Sequence, residues 1–315
     1  MTGLFSYFVF FACIVLIYGI VALGLNLQWG YTGLFNAGIV GFYAVGAYAH
    51  AILTAAPKPE FLGNFGLPWI VGIAGAMAAS AFVAWIVGLA TIRLRDDYLA
   101  IATFGIATTI QLFTLNLEGL TGGGNGLSGI PRPLYDVFGS PFGFNLFYLA
   151  LLLGVVALVY WALERILRSP WGRVLKAIRE DETAAVALGK NATAFRLQAF
   201  VLGSTLMGLA GALYVSFIGF VSPFDFLPIL TFQIWAMLIV GGSGNNRGAL
   251  LGAFVVWLIW SASGIAITKL VPPAYAAQGG AVQVILIGVL LVASLMLRPR
   301  GIIGENPVVS RHAGG

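Results

Sequence analysis

Residues 4–27 read LFSYFVFFACIVLIYGIVALGLNL, and the first Asp, Glu, Lys or Arg of the chain comes only at Lys58. A helix needs about 20 apolar residues to cross the hydrocarbon core of a bilayer. This stretch is long enough and apolar on every face. It has no basic start and runs past the roughly 7–15-residue apolar core of a secretory signal, so it reads as a retained first span.

The rest of the chain repeats the pattern. Further runs without charge cover 61–92, 98–117, 137–163, 197–224, 226–246, 248–268 and 270–297. Of 315 residues, 60% are hydrophobic and 9% charged, against roughly a quarter charged in a soluble domain. The apolar surplus has to face lipid. The runs are apolar on every face and so do not match a β-barrel, whose strands alternate polar and apolar residues. The 42 glycines suit helices that approach closely in a membrane. The fold class expected is therefore all-α, a polytopic transmembrane bundle forming one domain over 1–315.

Nine helices are expected, over 4–27, 33–56, 68–93, 97–117, 144–168, 193–218, 227–241, 247–268 and 281–298. The run 227–241 is short, and 33–46 is interrupted by Gly33, Gly38, Gly41 and Gly46. Either is a candidate half-helix or re-entrant segment, which membrane depth tolerates only where the backbone is buried in protein or lines a cavity. Eight to ten spans are allowed for.

Basic residues orient the bundle. Arg93 and Arg95 follow the third span, Arg165 to Arg196 lie between the fifth and sixth, and Arg298 and Arg300 follow the last. Nine crossings put all three clusters on one side, which positive-inside bias makes the cytoplasm. The amino terminus is then outside, 118–143 forms an outer (periplasmic) loop, and 299–315 is a cytoplasmic tail. The pI near 9.4 follows from the same bias and calls for membrane lipid, not nucleic acid, as a partner. Cys13 is the single cysteine, and the histidines stand at 50 and 312, so no metal site is expected.

The stretch 164–196, ERILRSPWGRVLKAIREDETAAVALGKNATAFR, carries 11 of the 27 charged residues. Ser169-Pro170 marks a helix start. Val174 and Ile178 share a face. Asp181, flanked by Glu180 and Glu182, opens a second short helix, and Gly189 stops it. A solvated loop needs neither these punctuated ends nor the apolar face of Val174, Leu175 and Ile178. A docking surface for a cytoplasmic protein needs both.

From RSPWG, starting at Arg168, through GALY, ending at Tyr214, the sequence resembles the cytoplasmic loop and following helix of the LivM-type permeases of branched-chain amino-acid importers. LNLQWGYTGLFNAGIVGFYAVGAY at 25–48, LTGGGNGLSGIP at 120–131, LIVGGSGNNRGALLGA at 238–253 and RPRGIIG at 298–304 agree in order and spacing. Arg247-Gly248-Ala249 departs from the pattern, standing where such permeases often carry Gly-Pro. The resemblance implies a permease subunit in the bacterial inner membrane that pairs with a homologous LivH-type permease. Two cytoplasmic ATPases that use ATP and Mg, and an external substrate-binding protein, would complete the importer. This chain would bind no cofactor and have no catalytic residue of its own. Segment 170–190 would be the coupling region, with Arg173, Arg179, Glu180, Asp181, Leu188 and Gly189 as its contact residues. The outer loop with Gly122, Gly123 and Asn125 would face the binding protein.

That outer loop is not a phosphate loop, because no Gly-Lys-Ser/Thr follows it. Gly241–Asn246 reads as a tight interhelical turn with close packing, with an inner gate or a second ATPase contact as the alternative. Polar groups in lipid are costly unless paired. Asn36, Gln111 and Gln233 are the candidates to line a pathway. No Asp, Glu or Lys lies deep in a span, which speaks against a proton-driven secondary transporter. Branched-chain or other neutral amino acids are the substrates implied, with urea or amides the alternative within the same family.

Overall fold

The computed structural model describes residues 2–138, 140–270 and 276–305. Among these, nine long helices make up the bundle: α1 (Thr2–Leu25), α2 (Ile39–Thr54), α3 (Trp69–Thr91), α4 (Asp96–Asn116), then α7 (Pro141–Leu167), α10 (Ala192–Ile218), α11 (Pro228–Gly241), α12 (Asn246–Leu270) and α13 (Ala276–Leu297). Four shorter helices lie at the ends of the bundle. They are α5 (Glu118–Thr121) and α6 (Tyr135–Phe138) at one end, and α8 (Pro170–Glu180) and α9 (Glu182–Ala187) at the other. Two-residue strands, β1 (Leu127–Ser128) and β2 (Phe220–Val221), pair antiparallel with Leu127 opposite Val221. Seven of the long helices have the length and apolarity to cross a membrane. The chain is an all-α, multi-pass membrane protein.

The two exceptions are α2 and α11, with 16 and 14 residues. At 1.5 Å per residue these span about 24 and about 21 Å, short of the ~30 Å hydrocarbon core. The helix expected from residue 33 begins only at Ile39. Gly33 takes a left-handed φ of 76°, and the Asn36 carboxamide accepts from the Gly38 amide at 2.7 Å, so 31–38 runs as irregular chain. The helix expected from 144 starts earlier, at Pro141. Ser140 caps it by accepting from Gly143 N at 3.1 Å, and proline suits its first turn.

The centre of the bundle is α1, α2 and α10, with α3 packed against α2 and α10. Glycines permit this density. A Cβ at Gly24 would stand 2.6 Å from the Gly203 carbonyl oxygen, and one at Gly203 2.6 Å from that of Gly24. Gly46 lies directly against the Gly208 backbone, and Gly211 against the Tyr43 carbonyl. Van der Waals packing between close backbones drives helix association in lipid, where no hydrophobic force acts between helices. Phe42, Tyr43 and Phe200 fill the interior, while Phe82, Trp85, Ile101, Leu153, Trp161 and Val289 point outward from α3, α4, α7 and α13.

The two ends differ in chemistry. One carries the β1–β2 pair and the Leu62 N to Gly119 O hydrogen bond (2.8 Å). The other gathers the end of α1, the 92–95 turn, α8–α9, the 242–245 turn and the tail segment 298–305. All the basic clusters fall there. The expected tail over 299–315 is described only as far as Glu305.

Candidate functional site

At the charged end, α8 sorts its residues by face. Gly172, Leu175 and Ile178 are buried, whereas Arg173, Ala177 and Glu180 are exposed. Ile178 joins Ala185, Ala192, Val174 and Phe195 in a small apolar cluster that glues α8 to α9 and to the start of α10. The apolar face expected to meet a partner is therefore spent within the chain. The hydrophobic side chains left outward on α9 and its stop are Val186 and Leu188, the latter 80% exposed. Asp181 caps α9 by accepting from Ala184 N at 2.9 Å. Gly189, at φ 78°, ends it in a Schellman turn in which Lys190 N donates to Ala185 O. Arg173 lies on the exposed face.

This two-helix unit is fastened on three sides. Trp171 Nε1 donates to Gln198 Oε1 at 2.7 Å, and Arg196 pairs with Glu182 at 2.9 Å, both onto α10. Arg179 makes the third attachment. Its guanidinium donates to the carbonyl of Gly30, to Glu180 and, at 2.8 Å, to Glu305 Oε2. Burial disfavours the Arg179 cation, but its bonds to Glu180 and Glu305 outweigh that and hold its pKa above the ordinary arginine value. A cleft of about 1080 Å³ opens beside this junction, lined by Arg93, Arg95, Asp97, Arg196 and Glu305 among others.

Gly30 is the last residue of a π-helical turn, Asn26–Gly30, that ends α1. Such turns concentrate at functional sites. Asn26 is fully buried there. It donates to Asn246 Oδ1 (2.9 Å) and accepts from Gly244 N (2.9 Å), and Asn246 passes the chain on to Glu164 Oε1 at 3.1 Å. Gln28 donates to Phe200 O (2.8 Å) and Ser204 Oγ (3.1 Å) of α10.

Of the three pathway candidates, Asn36 is the keystone of the irregular segment. It is 0% exposed, donates to Gln28 Oε1 at 2.8 Å, and its carbonyl accepts from Trp235 Nε1 of α11 at 3.1 Å. Beside it Trp29 meets Phe35 and Trp235 edge-on, and Phe35 lies tilted against Trp235, with ring centroids 4.5–5.4 Å apart. Gln111, on α4, donates to Pro223 O at 3.4 Å near the other end of the bundle. Gln233 is buried on α11, and no side-chain hydrogen bond from it is found among the described residues. The three do not form one cluster. Sequence reasoning missed Gln28 and Asn246, and also the buried hydroxyls of Tyr43 and Thr231, which have no hydrogen-bond partner among the described residues.

At the opposite end, Gly122 and Gly123 take left-handed φ values of 74° and 52°, and Asn125 is exposed on the turn they make. Gly126 lies against the Val221 carbonyl. Arg132 donates to Ile218 O and lies over the rings of Tyr135 and Phe144 at 5.4 and 5.7 Å.

Irregular backbone buried between helices, here against α2 and α11, which are both too short to cross a bilayer, is a construction of membrane transporters. Here it is joined to a capped, charged helix unit outside the bundle, and the whole is the architecture of a transport permease. Residues 7–295 match the family described as branched-chain amino acid transport system, permease component, and the chain belongs to that family. It is 36% identical over 268 residues to the high-affinity branched-chain amino acid transport system permease protein LivM of Escherichia coli K12, covering 78% of this chain and 61% of that one. It thus spans about three fifths of that relative's length. The probable branched-chain amino acid transport permease protein LivM of Methanocaldococcus jannaschii is 29% identical over 93% of this chain and 92% of its own. The nucleoside ABC transporter permease protein NupC of Lactococcus lactis is 26% identical over 73% of each. No solved structure matches the chain.

Proposed function

We propose that this chain is the membrane-spanning subunit of an ATP-driven importer for branched-chain or other neutral amino acids, resident in the bacterial inner membrane with its charged end in the cytoplasm. It hydrolyses nothing itself. Two cytoplasmic ATPases use ATP and Mg, a homologous LivH-type permease forms the other half of the pathway, and an external binding protein delivers substrate to the end that carries the 118–143 loop.

The observation that carries this reading is the Arg179 junction. The two-helix unit standing outside the bundle is bonded through one guanidinium to Gly30, at the break in α1. A push on α8–α9 from an ATPase therefore reaches the irregular 31–38 segment without crossing solvent. Arg173, Glu180, Asp181 and Leu188 face outward, where a partner would grip them, and Gly189 fixes the tip. A carrier driven by ions has no use for such a lever.

Substrate is argued from the family, whose relatives carry names for branched-chain amino acids and, for one, nucleosides. The test is uptake of labelled leucine, valine, glutamine, urea and uridine by cells with and without this chain. Leucine uptake that needs the chain, needs ATP and survives collapse of the proton gradient supports the reading. Uptake that collapses with the gradient while ATP is maintained overturns it.

A further inference from the structure

The tail after α13 folds back across the bundle's charged end. Arg298 N closes onto Ser294 O at 2.8 Å, and the chain then turns through Gly301, at φ 70°. Ile302 N and Ile303 N donate to the carbonyls of Val240 and Gly241, both at 2.9 Å. These acceptors belong to the last turn of α11, whose carbonyls lack helical partners. Asn245 Nδ2 donates to Gly304 O at 3.2 Å. Gly242 and Gly248 lie so close to the tail that a Cβ on Gly248 would be 2.8 Å from Ile303 O. Segment 298–305 is therefore bonded to α11 and the turn that follows it.

Its described end is Glu305, with 28% of its side chain exposed. Oε1 pairs with Lys176 Nζ at 3.0 Å and Oε2 with Arg179 at 2.8 Å. Lys176 and Arg179 stand three apart on α8, on one face, so a single carboxylate spans both. Lys176 also lies 5.4 Å from the Tyr31 ring. The α8 helix thus has two routes into the membrane. One runs through Arg179 to Gly30. The other runs through Glu305 and the tail to α11, whose Trp235 holds the Asn36 carbonyl from the far side.

We infer that Glu305 is a positioning residue and that the tail 298–305 is a strut, carrying displacement of α8 to α11 so that both walls of the irregular 31–38 segment move together. This rests on the reading of α8–α9 as the part an ATPase drives. A side chain that merely stabilised the tail would have no need to clasp two cations of that helix.

The test is hydrogen–deuterium exchange of the assembled importer, before and after addition of a non-hydrolysable ATP analogue. It compares the wild type with Glu305→Gln, and with Lys176→Gln as a variant that leaves the tail intact. In the wild type the nucleotide changes exchange over 170–190, over 26–38 and over 236–241. In both variants the change over 170–190 persists. That over 236–241 shrinks about five-fold, the upper end for a part-exposed ion pair. An undiminished response over 236–241 in either variant overturns the strut, as does failure of both variants to assemble. If wild-type exchange over 170–190 ignores the nucleotide, the reading of α8–α9 has failed instead.

Discussion

Replacing Asn36 by Leu removes the side chain that organises the break before α2. Two groups lose their partners: Gln28 Oε1, at 2.8 Å, and the Gly38 amide, at 2.7 Å. An orphaned buried polar group costs about 1–3 kcal/mol. Interhelical hydrogen bonds in a bilayer are worth less, ~0.6 on average and up to ~1.7, because the unfolded chain in lipid also finds partners. Asn36 is fully buried, so the upper part of the membrane range applies to each group. The sum is about 2–3 kcal/mol, and the larger Leu has no space to offset it. The assay is unfolding in mixed micelles titrated with sodium dodecyl sulfate, followed by tryptophan emission. Trp29 and Trp235 flank the segment and report on it locally. Thr109→Val, an exposed hydroxyl bonded to its own helix, is the control and shifts stability by no more than about 0.5 kcal/mol. If Asn36→Leu costs less than about 1 kcal/mol and leaves the tryptophan spectrum unchanged, the segment is not held as described.

Gly46→Val drives a branched side chain into the Gly208 backbone and forces α2 off α10; an overpacking cost of about 3 kcal/mol or more is expected, seen as lost monodisperse protein in gel filtration. Leu188→Asp alters an exposed tip and leaves stability within about 0.5 kcal/mol, while co-purification of the ATPase falls. Burial holds the Asp225 carboxyl above its usual pKa, against the pull of the Ser222 amide that donates to it. The folded state therefore binds that proton more tightly than the unfolded state. Stability falls as pH rises from the ordinary carboxylate range through the raised value, and Asp225→Asn flattens that slope in unfolding curves taken across it.

What could be read in advance follows from range. Nine helices were legible because each writes its own apolar run of residues, and the short pair α8–α9 because Ser169-Pro170, Asp181 and Gly189 punctuate it locally. The glycines at 33 and 38 gave away a break near α2, but not that Asn36 would fill it. The π turn at 26–30 had no local mark. Nor did the pairing of Asn26 with Asn246, 220 residues apart, or of Glu305 with Lys176 and Arg179, since such contacts exist only once the helices are packed. The apolar face of α8 was visible as a pattern, whereas its use, packing inward on α9 and α10, depended on where those helices ended. Gln111 and Gln233 looked alike in sequence, as polar residues in apolar runs. One bonds the loop before α11, and the other lies buried within it.

The central claim is that α8–α9 converts work done by an ATPase into movement of the broken segment. The direct measurement is substrate molecules imported per ATP hydrolysed, for the complete importer in proteoliposomes, with Glu180→Lys and Asp181→Asn introduced together. Asparagine keeps the cap on α9, so the change alters charge without unwinding the helix. The account predicts a permease that stays folded but either fails to retain its ATPase or imports about tenfold less per ATP, equivalent to ~1.4 kcal/mol of lost coupling. Full assembly with an unchanged ratio would contradict it.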